Sequence, residues 1–151
     1  MESDNMIDID RVLERLNFMT KRLNRLKSLE FVSLETYLDD LDSQLIAERI
    51  LELIIQAAID INNHIIKQGL KLEAVGPKES FLILRECQIL SEELAQQLSK
   101  SAIFRNILAH EYLDIDDNIV FNLIPKALKQ YPLYVLQIQQ YLNSLENDIN
   151  E

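Results

Sequence analysis

Glycine and proline are nearly missing from this 151-residue chain, which has two of the first and three of the second. A soluble chain of this length ordinarily carries roughly ten Gly and about eight Pro. A fold of many short strands needs such residues at every reversal, so the shortage argues against a sheet-rich architecture. Valine is scarce too, at 5 against 26 Leu and 19 Ile, a bias toward helix over strand. The single Cys87 cannot form an internal disulfide, and its neighbours Leu84, Ile89 and Leu90 make it a reduced core thiol rather than a nucleophile. Basic residues are outnumbered, 15 Lys and Arg against 25 Asp and Glu, for a net charge of −10. Taken globally, that charge argues against a non-specific nucleic-acid coat and against anionic membrane, and leaves room for a cationic partner. No long uninterrupted apolar run is present. The richest stretch, Ile46 to Ile66, is broken by Glu48, Arg49, Glu52, Gln56, Asp60, Asn62, Asn63 and His64, so no membrane span is expected. The opening Met1-Glu-Ser-Asp is acidic and lacks the apolar core of a signal peptide, so a cytoplasmic location is expected.

What is present reads as a single all-α domain over residues 1–151, a bundle of five to six helices with its core at about 8–147. Asp8 or Asp10 caps a first helix to about Lys27, with Val12, Leu16, Met19, Leu23 and Leu26 on the 3.6-residue period. Arg11, Arg15, Arg22 and Arg25 fall within an arc of about 80° beside that stripe, either a solvated face or a strip for phosphates. Ser33 caps a short helix through about Asp40. A long helix follows from about Ser43 to Gln68, with Gly69 as its C-cap. Its polar stripe is Arg49, Glu52, Gln56, Asp60, Asn63, His64 and Lys67, and most of the remainder is Ile, Leu and Ala, as befits the centre of a bundle. Pro77 opens a helix to about Gln88, Ser91 caps one to about Ala109, and residues 110–116 connect. Asp116 caps the last helix, to about Leu145, which Pro125 and Pro132 should kink or divide.

Only one stretch concentrates chemistry: Phe104-Arg105-Asn106-Ile107-Leu108-Ala109-His110-Glu111-Tyr112. Arg105 and His110 are five apart, about 140° around a regular helix. They converge only if the helix ends or distorts near Ala109, or if two subunits share a site. A His at a helix C-terminus, beside a fixed cation, suits phosphodiester chemistry. An Arg and a His at a helix end also serve purely structural roles. Other motifs are absent: no Gly-rich phosphate loop, no zinc spacing. Asp114-x-Asp116-x-Asn118 starts like a calcium loop, but Ile119 replaces the required Gly and Pro125 the terminal Glu.

Arg105 to Tyr112 resembles the R-x4-H-x-Y motif of HepT-type toxins in the HEPN ribonuclease superfamily. The resemblance extends over about Asp10 to Leu145, through Ile59-Asp60-Ile61-Asn62-Asn63-His64-Ile65-Ile66, the run from Ser80 through Glu93 to Leu98, and Leu113-Asp114-Ile115-Asp116 after the motif. It implies a helical bundle that dimerises, as a homodimer or within a larger hetero-oligomer, and brings two motifs into one cleft. It implies a metal-independent endoribonuclease toxin acting on cellular RNA, of a type VII-like toxin–antitoxin pair. Its partner would be an MntA-like minimal nucleotidyltransferase antitoxin that transfers AMP from ATP to the motif Tyr. On this resemblance Arg105 and His110 are the catalytic pair, Asn106 a supporting residue and Tyr112 the AMP acceptor. No metal or cofactor belongs to the chain itself; ATP is used by the partner. Asp60, Asn63 and His64 are candidates for lining the cleft, with a hydrogen-bonded cluster or dimer contact as the alternative. Arg11, Arg15, Arg22 and Arg25 are candidates for RNA or partner contact. The competing function is a non-catalytic helical subunit that binds nucleotide or substrate for a nucleotidyltransferase; a plain oligomeric interaction protein is a third.

Overall fold

Asp8 begins the first helix, accepting a hydrogen bond from the Arg11 backbone N–H at 3.1 Å. The computed structural model describes residues 7–110 and 115–150, and the side chains of all of these but 110 and 148–150. Helix α1 (Ile9–Leu26) buries Val12, Leu16, Met19, Leu23 and Leu26, the stripe its periodicity predicts. Ser33 caps α2 (Leu34–Asp39) through its hydroxyl. The long helix α3 (Leu41–His64) starts two residues before the expected Ser43, because the Asp40 carboxylate accepts from the N–H groups of Asp42 and Ser43. It buries Ala47, Ile50, Leu51, Ile54, Ile55, Ala57, Ala58, Ile59 and Ile61. Burying each of the larger aliphatic side chains contributes roughly 1.5–3 kcal/mol, so α3 is the axis around which the core forms.

The end of α3 departs from the simple cap expected at Gly69. Residues Ile65–Gly69 form a π-helical turn closed by the Leu70 N–H on the Ile65 carbonyl at 3.0 Å. Gly69 does not have positive φ. Its lack of a side chain matters for space instead: a Cβ there would lie 2.7 Å from Ile7 Cδ1 and 3.3 Å from the Tyr141 hydroxyl.

Helix α4 (Pro77–Glu86) opens on its proline as expected. Cys87 then ends the helix and is exposed, a correction to its reading as a core thiol. The buried partners in that turn are Leu84, Ile89 and Leu90, while Gln88 takes φ 63°. The helix expected from Ser91 to about Ala109 is two helices, α5 (Glu92–Ser101) and α6 (Phe104–His110). The break falls beside Ser101, whose hydroxyl donates to the Leu98 carbonyl at 2.8 Å and lies 2.9 Å from the Tyr131 hydroxyl.

Helix α7 (Asp117–Asn150) runs past the expected Leu145, and Pro125 and Pro132 lie inside it without dividing it. Both are exposed and seven residues apart, so the carbonyls they leave unpaired face water. Val120, Leu123, Ile124, Ala127, Tyr131, Tyr134, Ile138 and Leu142 form the opposite, buried stripe. Asp116 caps α7 through the Asn118 N–H at 2.9 Å. All secondary structure among the described residues is helical. None of these helices is long and apolar enough to cross a membrane.

Candidate functional site

Helix α6 packs across α3, and this crossing sets the position of Arg105. Arg105 is half-buried. Its Nε donates to Oε1 of Gln56 on α3, and its Nη1 donates to Oδ1 of the adjacent Asn106 at 2.7 Å. Gln56 in turn donates through Nε2 to Oδ1 of Asp60 at 2.8 Å. The result is a continuous relay, Asp60–Gln56–Arg105–Asn106. A carboxylate accepts only, so Asp60 fixes which end of the Gln56 amide faces Arg105. Two of the guanidinium's nitrogens are thereby held, and its charge stays at the surface of the crossing.

The same stripe of α3 faces α1 across two adjoining grooves of about 430 and 490 Å³. Both are lined by Arg11, Arg15 and Asp60; the first adds Gln56, and the second adds Asn63, His64 and Lys67. The arginine strip therefore splits. Arg11 and Arg15 line the grooves, but Arg22 stacks on the Phe18 ring with its guanidinium 4.5 Å from the centroid, and Arg25 bonds to Ser28. Neither of these last two lines the grooves, although Phe18, on which Arg22 stacks, lines the first.

Asp60, Asn63 and His64 all line the groove, and two of them also carry structural bonds. Asn63 donates to the Val75 carbonyl at 3.1 Å and accepts from its N–H at 3.0 Å, pinning the loop before α4. His64 Nε2 accepts from the Asp8 N–H at 3.0 Å, tying the end of α3 to the start of α1. Partial burial lowers the His64 pKa below the ordinary 6.5, and the Arg11 charge adds to this. His64 is thus neutral at pH 7, as an acceptor of the Asp8 N–H must be.

His110 closes α6 as its last residue. Its side chain, together with Tyr112, lies outside the described residues, as does most of the 110–116 connection. Two polar residues escape a reading by sequence pattern. Gln56 belonged to the polar stripe, but nothing in the pattern linked it to Arg105, 49 positions away. Asn62 is fully buried on the opposite side of α3 from the groove-facing stripe. It donates to the Ser80 hydroxyl at 3.0 Å and accepts from the Tyr134 hydroxyl at 2.6 Å. Among the described residues, no group of three His, Cys, Asp or Glu side chains is placed to hold a metal ion.

This all-helical arrangement, with an R-x4-H segment laid across a buried central helix, is a HEPN-type fold. The tri-AMPylated HEPN toxin of Shewanella oneidensis, solved in complex with its MNT antitoxin, superposes with a TM-score of 0.77 at 22% identity, over 89% of this chain and 99% of that one. The pattern of the family described as Ribonuclease HepT-like matches residues 19–138, and the chain belongs to that family. A tRNA nuclease HepT from Aphanizomenon flos-aquae (strain 2012/KM1/D3) is 47% identical over 145 residues, which cover 95% of this chain and 99% of that protein. An mRNA nuclease HepT from Shewanella oneidensis is 28% identical over 80 residues, 53% of this chain and 60% of that one.

Proposed function

We propose that this chain is the toxin of a toxin–antitoxin pair, an endoribonuclease that cleaves cellular RNA without a metal ion. The observation that carries this reading is the relay that holds Arg105 at the α3–α6 crossing, next to a groove lined by Arg11 and Arg15. A guanidinium fixed through Nε and Nη1 meets phosphoryl oxygens without first being ordered, which is where preorganised charge contributes most. The kinship with a tRNA nuclease of 47% identity points to RNA as the substrate.

In the proposed reaction the RNA 2′-oxygen attacks the adjacent phosphorus, and the bond from phosphorus to the 5′-oxygen breaks. His110 accepts the 2′-OH proton, and a proton is delivered to the departing 5′-oxygen by the same or a second His110. Arg105 stabilises the charge that builds on the non-bridging oxygens. The products are a 2′,3′-cyclic phosphate and a 5′-OH end. A homodimer supplies Arg105 and His110 of two copies to one cleft. Regulation falls on Tyr112: its hydroxyl oxygen attacks the α-phosphorus of ATP on a partner nucleotidyltransferase, pyrophosphate leaves, and AMP remains on the toxin. The added bulk and negative charge repel RNA from the entrance.

The test is cleavage of total tRNA by the purified chain with and without EDTA, with end-group analysis of the fragments. Undiminished cleavage in EDTA, leaving cyclic phosphate ends, is the expected result. Cleavage that EDTA abolishes contradicts the metal-free mechanism, and no cleavage under either condition contradicts the enzyme reading.

A further inference from the structure

A second surface of the molecule has a different chemistry. From Ser28 to Glu48 the sequence holds six carboxylates, Glu30, Glu35, Asp39, Asp40, Asp42 and Glu48, and no Lys or Arg. The same stretch leaves large apolar side chains in solvent: Phe31 is 92% exposed, Leu41 64%, Leu45 54%, and Leu34 and Leu38 about 40% each. Leu34 and Leu38 are four apart on α2, Leu41 and Leu45 four apart on α3, so each pair shares a helical face. Only Asp39 and Asp40 separate the two pairs, at the junction where Gln44 donates to the Tyr37 and Leu38 carbonyls and sets α2 against α3. Singly exposed leucines need no explanation, but this cluster within fifteen residues does.

Two carboxylates flank Tyr37 of α2, the helix that carries Leu34 and Leu38. Glu48 on α3 and Asp117 at the start of α7 are both half-buried, and burial together with the Asp117 charge raises the Glu48 pKa. The first arginine after the stretch, Arg49, is paired to Glu52 at 3.0 Å. The Tyr37 ring is fully buried against Phe121, and its hydroxyl has no hydrogen-bond partner among the described residues. Glu48 follows Gln44, which bonds the Tyr37 carbonyl, by one turn of α3, and Asp117 precedes Phe121, whose ring packs on Tyr37 at 5.3 Å, by one turn of α7, so both carboxylates flank Tyr37. Two half-buried carboxylates gain from an incoming donor that carries positive charge.

We infer that the α2–α3 corner is a docking surface for a partner protein whose apolar patch is ringed by lysine and arginine, the patch covering Leu34, Leu38, Leu41 and Leu45 and a basic side chain reaching Glu48 and Asp117. A second copy of this chain is the poorer occupant. A two-fold contact through this corner sets the same six carboxylates against themselves. The corner is also separate from the Arg105 crossing: Leu45 and Gln56 are eleven residues apart on α3, roughly 16 Å along its axis. The inference holds whether or not the chain cleaves RNA.

The experiment uses the full chain and two labelled 18-residue amphipathic peptides as probes. Both carry leucines at i, i+4 spacing; one has lysines on its flanks and the other glutamates. Fluorescence anisotropy is expected to show binding of the lysine peptide alone, weakened at least about tenfold by Leu38→Asp with Leu41→Asp and by Asp42→Lys with Glu48→Lys. Arg15→Glu in the groove should leave it unchanged. Analytical ultracentrifugation of Leu38→Asp with Leu41→Asp should give the wild-type oligomeric state. Equal binding of both peptides, no binding of either, or indifference to the corner substitutions overturns the inference. A dimer dissociated by the two Asp substitutions also overturns it, because the corner would then be a self-interface.

Discussion

Gln56 and Asn62 are two amides on the same helix, six residues apart, and they meet opposite surroundings. Asn62 has no exposed surface, and both ends of its amide are engaged, by Ser80 of α4 and Tyr134 of α7. Ser80 passes the chain on to the Pro77 carbonyl at 2.7 Å. That cluster joins three helices inside the core, and its bonds end within the protein. Gln56 is half-buried, and its bonds lead outward to Arg105 and Asp60 at the groove. The first amide locks the packing of α3. The second holds a cation in position at a surface. The difference teaches that polarity on a central helix has to be followed to its last hydrogen-bond partner before it is assigned to stability or to chemistry.

The sharpest break of this comparison is at Arg105. Arg105→Ala should lower RNA cleavage by about 100- to 1,000-fold while leaving the melting temperature within a few degrees, checked by single-turnover cleavage alongside thermal unfolding. The converse substitution, Asn62→Leu, should cost about 2–4 kcal/mol of folding stability, since it leaves the Tyr134 and Ser80 hydroxyls with one partner fewer in the core. Denaturant titration measures it, and the cleavage rate per folded molecule should stay near wild type. Gln56→Ala should fall between them, with kcat down roughly tenfold, KM little changed and stability nearly unaltered. Gln56→Glu should recover part of that loss, because a carboxylate still accepts from Arg105 Nε.

The smallest effect concerns His64. Its folded pKa is depressed below the ordinary 6.5, so the unfolded state takes up the proton first as pH falls. This contribution to stability is fully present above pH 6.5 and is lost as pH drops through that value toward the folded pKa. Melting temperatures from pH 7.5 to 5 should therefore decline. His64→Gln, which keeps a neutral acceptor for the Asp8 N–H, should flatten that part of the decline.

Much of the fold was legible because apolar periodicity and capping residues act locally. Val12, Leu16, Met19, Leu23 and Leu26 lie inside as their spacing requires, and Asp8, Ser33, Pro77, Ser91 and Asp116 open helices as their chemistry predicts. The departures have tertiary causes. One expected helix is two, α5 and α6, and the junction is where the Ser101 hydroxyl meets Tyr131, thirty residues on. Cys87 is exposed because Gln88 turns the chain at positive φ and gives the core Ile89 and Leu90 instead. The candidate site was half legible. The motif carrying Arg105 stands out by residue type, and Arg11, Arg15 and Asp60 meet across the groove. The bond from Gln56 to Arg105 spans 49 positions, and no local pattern encodes it. The opening charge of −10 also acquires a geography: carboxylates without a single base from Ser28 to Glu48, and arginines at the groove.

In the proposed mechanism, Arg105 and His110 from two copies of the chain form one cleavage centre. The most direct measurement is RNA cleavage by an equimolar, co-refolded mixture of Arg105→Ala and His110→Ala chains. Each variant alone should fall by about 100- to 1,000-fold, and random pairing, which makes about half of the dimers mixed, should restore activity through the one intact Arg105 and one intact His110 that each mixed dimer brings to the cleft. A mixture no more active than its separate components would contradict the account.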